Sequence, residues 1–393
     1  MAAEAILDPD TAQGYAGAGS SQATLWGVDL IDWGAAQRIG ELVAGSPPAG
    51  GVRAATVEPL AHDFALRVGD YSGLELQGEL PPLEAVDRPA WIAANLRTMR
   101  PLLAPLADRV GDGGGTLARP LRAASGLVLG AQVGALTGLL SQRVLGQYEL
   151  SLLDAAVPPR LLLLAPNLAQ AARNLGVDRD ELVLWVTIHE ITHAVQFSGA
   201  PWLREYLGGL LKELIDGLQV IAGAGPAGGG DGERTRGRSG WLGNLSGWVP
   251  DPASTRELIS RAREGQLLRI TLGEDRWQLV ERMQSAMSLI EGHAEHTMDV
   301  VGAEVLPTLP RLRAAMTRRR ESRGLPWRAL ERLLGLELKL RQYENGRRFC
   351  DAVVHAGGPP ALALAWSGPE ALPSADELEQ PARWLARVQA AAA

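Results

Sequence analysis

The chain has 393 residues, with 38 Lys and Arg against 45 Asp and Glu and a net charge of −7, so it carries no basic footprint for nucleic acid. Its 46% hydrophobic and 21% charged residues exclude a disordered chain, and at roughly 100–200 residues per domain the length allows two or three domains or one large fold. The single cysteine, Cys350, excludes an internal disulfide and a thiolate zinc site, so any metal must be held by histidine and carboxylate.

Residues 1–23 are small and polar and read as disordered. Met1–Asp8 has no basic stretch followed by an apolar one, so no secretory signal is visible and a cytoplasmic protein is expected. Helical periodicity then runs over Trp26–Ala44, Glu58–Val68 and Arg88–Leu106, the last with Pro89 in its first turn. Ala123–Gln142 carries no charge, and Gly126, Gly130, Gly134 and Gly138 recur at every fourth position, with Gly146 in phase. Such a stripe lets another helix sit closely, as in membrane-spanning pairs. The segment is barely long enough to span, is glycine-rich and includes Ser125, Gln132, Thr137 and Ser141, so we read it as a buried helix of a soluble protein with no membrane span.

Leu161–Ala165 is a short apolar run ending at Pro166, either a strand or the start of a helix. Asp178 and Glu181 fit a capping box for a helix that carries Leu182, Trp185, Val186, Ile188 and Val195 and is stopped by Gly199 and Pro201. Residues 222–240 read as a flexible Gly-rich loop. Trp277–Val301 and Leu330–Val354 are long helical patterns, and a tail over 358–393 follows Gly357–Pro360. Helices dominate and strand signals are few. The expected fold is mainly α (α+β), with long helices and a small sheet. It would form one two-lobed domain over 24–357, with a helical lobe at 24–160 and a second lobe at 161–357 that holds the motifs described next.

The chemistry lies in His189-Glu190-Ile191-Thr192-His193. Histidines at i and i+4 stand about 40° apart on a helix, one turn above the other. Both imidazoles can reach one ion at about 2.0–2.1 Å, while Glu190, on a neighbouring side, can take a proton from a water at that ion. A buried histidine pair on an amphipathic helix is the plain alternative. Zinc needs a third protein ligand, and Glu291-Gly292-His293-Ala294-Glu295-His296 offers one. With Glu291 as ligand, Glu295 at i+4 shares its face and can accept a hydrogen bond from a ligating imidazole. His293 points nearly opposite Glu291 and His296 about 140° away; either is the rival third ligand.

These residues resemble the zincin metallopeptidases whose third ligand is a glutamate followed four residues later by an acidic residue, the gluzincins. The chain is more closely similar to an actinobacterial zincin-like family of hydrolases associated with deazaflavin coenzyme biosynthesis. The matching stretches are Asp87–Trp91 with Asn95, Gly130–Gln132 with Gly134, Val144–Tyr148, His189–Phe197 with Pro201–Leu203, Glu291–His293, and Gln342-Tyr343 with Gly346 and Phe349. No phosphate-binding glycine loop or other flavin-binding sign accompanies them. The resemblance implies a zincin-like fold closed around Zn2+ and a zinc-dependent hydrolase, foremost a metallopeptidase, acting on a peptide or a small-molecule amide. It also implies a phenol as second donor to the oxyanion, which makes Tyr343 the candidate and His355 the alternative. A non-peptide amide hydrolase and a helical scaffold with a vestigial site are the competing functions, and oligomeric state is not readable.

Overall fold

The computed structural model describes residues 31–46, 57–111, 119–223, 274–321 and 336–392. The N-terminal stretch 1–23, the start of the first helix before Ile31, the Gly-rich loop beyond Gly223 and residues 330–335 lie outside the described residues. Among the described residues the order is α1 (Trp33–Ala44), α2 (Glu58–Ser72), β1 (Leu83–Val86), α3 (Arg88–Gly111), α4 (Arg119–Ser141), β2 (Gly146–Glu149), β3 (Arg160–Leu164), α5 (Ala165–Leu175), α6 (Arg179–Gly199), α7 (Trp202–Gly223), α8 (Glu274–Val305), α9 (Leu309–Glu321), α10 (Leu336–Ala363), α11 (Ala375–Glu379) and α12 (Pro381–Ala392). The fold is mostly helical with a small sheet, as the pattern predicts.

The sheet has the order β1-β3-β2, with β1 parallel and β2 antiparallel to β3. The ambiguous leucine run is therefore the central strand, and its four leucines, Leu161–Leu164, are all buried. Leu161 and Leu163 enter the larger core with α2, α6 and α8, while Leu162 and Leu164 enter a smaller one with Trp91, Ile92 and Ala36. Burial on both faces explains why the run is continuous rather than alternating. Pro166 does not end a helix; it sits in the first turn of α5, where a missing N–H costs nothing.

The glycine stripe of α4 is where α1 docks: a Cβ at Gly130, Gly134 or Gly138 would collide with the backbone carbonyls of Asp32, Ala36 and Gly40. Burial is one-sided, however, since Leu127 and Val128 are exposed on the other face. By length and composition, Ala124–Ser141 is the one stretch among the described residues apolar enough to cross a membrane. The helix stops at Ser141, so Gly146 does not continue the stripe but opens β2.

The helix that carries the histidines begins as predicted, with Asp178 Oδ1 accepting from the Asp180 and Glu181 amides at 2.9 Å. The second half of the capping box is diverted. Glu181 Oε2 accepts from the Thr308 hydroxyl at 2.6 Å and its amide at 3.1 Å, and so ties α6 to the start of α9. α8 and α10 cross at a glycine pair: a Cβ on Gly346 would meet the Ser288 carbonyl, and one on Gly292 would meet the backbone of Gly346. Beyond a break at Gly358 (φ 74°) the chain folds back. Trp366, Leu372, Leu378 and Trp384 join the larger core, and Trp384 packs edge-on against Phe349 with ring centroids 5.0 Å apart.

Candidate metal centre

α6 packs against α8, and this contact brings the two sequence motifs together. His193 Nε2 lies 3.2 Å from His189 Nε2. Glu291 Oε2 lies 3.6 Å from His189 Nε2 and 3.7 Å from His193 Nε2. In a tetrahedral site with ligands about 2.0–2.1 Å from zinc, neighbouring ligand atoms stand about 3.3–3.4 Å apart. The three edges lie within a few tenths of an ångström of that spacing, and the mixed nitrogen and oxygen donors suit such an ion. The side chains of His189, Glu291 and His193 keep 21%, 25% and 10% of their surface exposed, so the triangle is partly open to solvent.

The electrostatics point the same way. Burial would push the Glu291 carboxyl up, but His193 and His189 beside it reverse that and hold it well below the usual carboxylate range. Burial would lower His193, yet the charge and hydrogen bond of Glu291, with Glu190 behind, raise it to about 9.

Glu190 is buried. Burial raises its pKa more than the two imidazoles and a backbone N–H lower it. That N–H belongs to Tyr148 and donates to Glu190 Oε2 at 2.7 Å. Leu164 N–H bonds Leu145 O at 2.9 Å, so alternation along β2 turns the backbone groups of Gly146 and Tyr148 away from β3, off the free edge. Gly146 also makes the room: a Cβ there would stand 2.6 Å from Glu190 Oε1 and 2.7 Å from Val186 Cγ1.

The remaining candidates fall elsewhere. His293 and His296 are outside the triangle. His296 Nδ1 is 2.6 Å from Asp351 Oδ1 and its Nε2 is 2.6 Å from the Tyr71 hydroxyl, so both ring nitrogens are committed. His293 Nδ1 is 2.8 Å from Gln196 Nε2. Glu295, one turn past Glu291, is half-buried and lies close enough to Asp299 to raise that carboxyl. Tyr343 stands in α10 one turn before Gly346, and its side chain lies outside the described residues. His355 is exposed two turns past Arg347. Sequence reasoning missed Gln196, whose Oε1 is 2.9 Å from His193 Nδ1. Its position three residues after His193, on the same helix face, was the available signal.

His293 has a consequence for stability. Burial pushes its pKa down to about 3, helped by His296 and His193, whereas the unfolded ring titrates near 6.5. Below about pH 6.5 the unfolded chain therefore binds a proton that the folded one refuses. The stability this group confers is complete above about 6.5 and is lost as pH falls toward about 3. Denaturant melts at pH 7 and pH 4 should show wild type losing a few kcal/mol relative to His293→Gln over that interval. A stability difference independent of pH would contradict a neutral buried ring.

Fold and site together define a helical protein with a histidine–histidine–glutamate triangle that could hold a metal ion, and a buried carboxylate on the same helix as the two histidines. The sequence pattern of the zincin-like metallopeptidases matches residues 31–385, and the chain belongs to that family. It is also similar to a crystal structure from Chloroflexus aurantiacus, provisionally described as a hydrolase with a novel fold. The two are 29% identical with a TM-score of 0.62, over 91% of this chain and 99% of that one. No curated protein matches the chain.

Proposed function

We propose that the protein is a zinc-dependent hydrolase of the gluzincin type that cleaves peptide bonds. His189, His193 and Glu291 would hold the metal and Glu190 would act as general base. The observation that carries the reading is the triangle of 3.2, 3.6 and 3.7 Å between three donor atoms from two helices. The family name and the Chloroflexus aurantiacus hydrolase support it.

Bound in the triangle, zinc supplies a Lewis acid for the substrate carbonyl and lowers the pKa of a water toward about 7. The protein groups do the rest. Tyr148 N–H holds Glu190 Oε2, while Oε1 makes no hydrogen bond among the described residues and is the atom that takes the water's proton. The raised pKa of Glu190 brings its basicity nearer to the working pH, where a general base is most effective. Tyr343, on the helix that crosses α8 at Gly292, the residue after Glu291, is our candidate donor to the oxyanion.

A peptide library and a set of small amides, each incubated with zinc-loaded wild type and Tyr343→Phe, test the substrate class. Peptide cleavage that is slower in the variant is expected. Full zinc loading with amide but no peptide turnover would move the substrate to a non-peptide amide, and unchanged turnover in Tyr343→Phe would remove that residue from the mechanism.

A further inference from the structure

Gln196 is fully buried, and each polar atom of its amide has a partner. Nε2 donates to the Ile290 carbonyl at 2.9 Å and lies 2.8 Å from His293 Nδ1, and Oε1 lies 2.9 Å from His193 Nδ1. Which end of a glutamine is oxygen must be argued from its partners. Here the Ile290 carbonyl decides, because a carbonyl only accepts and must face the NH2 group. The oxygen is then fixed toward His193. An oxygen only accepts, so His193 Nδ1 must carry a proton, and Nε2 is the nitrogen that can give up its own and serve as a ligand. Nε2 is the atom that faces His189 and Glu291.

We infer that Gln196 is a positioning residue that sets the tautomer and ring orientation of His193, taking its own orientation from the backbone of the helix that carries Glu291. One amide thus links a ligand on α6 to Ile290, the residue before the third ligand on α8. Without it, His193 Nδ1 would have no acceptor, the ring could turn or take the Nε2–H form, and a ligand would be lost to a proton. The assignment rests on the metal-site reading of His193, but the hydrogen bond itself does not depend on any ion.

The test uses full-length protein labelled with 15N-histidine, with and without zinc, in four forms: wild type, Gln196→Met, Gln196→Glu and Val195→Ala. Gln196→Met keeps the volume but loses every hydrogen bond. Gln196→Glu keeps an acceptor for His193, and Val195→Ala disturbs packing on the same helix without touching the relay. A protected Nδ1–H signal from His193 is expected in wild type both with and without zinc, absent in Gln196→Met and present in Gln196→Glu. Zinc affinity, measured by competition with a chromogenic chelator, should fall about 10–100-fold in Gln196→Met. Gln196→Glu should recover most of that loss, and Val195→Ala should bind as wild type does.

Wild-type affinity and an unchanged His193 signal in Gln196→Met would overturn the proposal. So would a wild-type His193 with no Nδ1–H signal, a result that stands even where the Met variant fails to fold. A wild type that shows the signal yet takes up no zinc would sink the hydrolase reading and leave the relay intact.

Discussion

Replacing Glu190 by Gln should lower turnover about 10²–10⁴-fold while leaving the protein folded and its zinc content unchanged, the range removed with a general base. The amide is isosteric, and its oxygen can still accept the Tyr148 N–H that holds the carboxylate at 2.7 Å. None of the three candidate ligands bonds to Glu190 among the described contacts, so the triangle has no reason to change. What the amide cannot do is take a proton from water. The loss should appear in kcat, because the base acts on the reacting water rather than on the bound substrate. Activity within a few-fold of wild type would remove Glu190 from the reaction, and loss of zinc together with activity would recast it as a structural support.

The second large effect is expected from a single methyl group. In Gly146→Ala the new carbon would stand 2.6 Å from Glu190 Oε1, 2.7 Å from Val186 Cγ1 and 2.9 Å from Glu190 Cγ, closer than carbon packs against oxygen or carbon. Either Glu190 turns away or β2 moves off α6. Both break the Tyr148 N–H bond and misplace the base by on the order of 1 Å, a displacement that costs about 10²-fold in rate. The ligands are not touched, so zinc should remain bound. Zinc titration alongside turnover separates this result from unfolding, and a Gly146→Ala protein with normal turnover would show that the cradle is dispensable.

The parts of the site that were legible in the sequence share a physical reason. His189 and His193 are one helical turn apart, so helix geometry alone brings them together. Glu291 could be singled out because it sits on a second apolar helix with Glu295 one turn on. That it meets the histidines depends on how α6 packs on α8, which local pattern does not encode. Spacing alone could set Gln196 beside His193, but not orient its amide, because the orienting partner is the carbonyl of Ile290, and a backbone group leaves no mark on side-chain pattern. Gly146 was misplaced in the glycine stripe because spacing does not say where a helix stops; Ser141 ends it and the next glycine serves Glu190. The aspartate half of the Asp178–Glu181 box forms, since its partners are local. The glutamate half does not, because Thr308, 127 residues away, captures that carboxylate.

The leucine run carries the same lesson for the fold. Four consecutive apolar residues suit a strand buried on both faces as well as a helix, and periodicity cannot separate them. Only the pairing of Leu161 with Leu83 on one side and Tyr148 on the other decides it. That pairing is also what puts the free edge of β2 over Glu190.

The central claim is that His189, His193 and Glu291 hold one zinc ion. X-ray absorption at the zinc edge of zinc-loaded wild type, with Glu291→Ala measured beside it, tests this most directly. Two imidazole nitrogens and carboxylate or water oxygen at about 2.0–2.1 Å are predicted for wild type, with one equivalent of zinc in wild type and a large loss of bound zinc in the variant. Stoichiometric zinc in Glu291→Ala, or a wild-type spectrum without two imidazoles, would contradict the account.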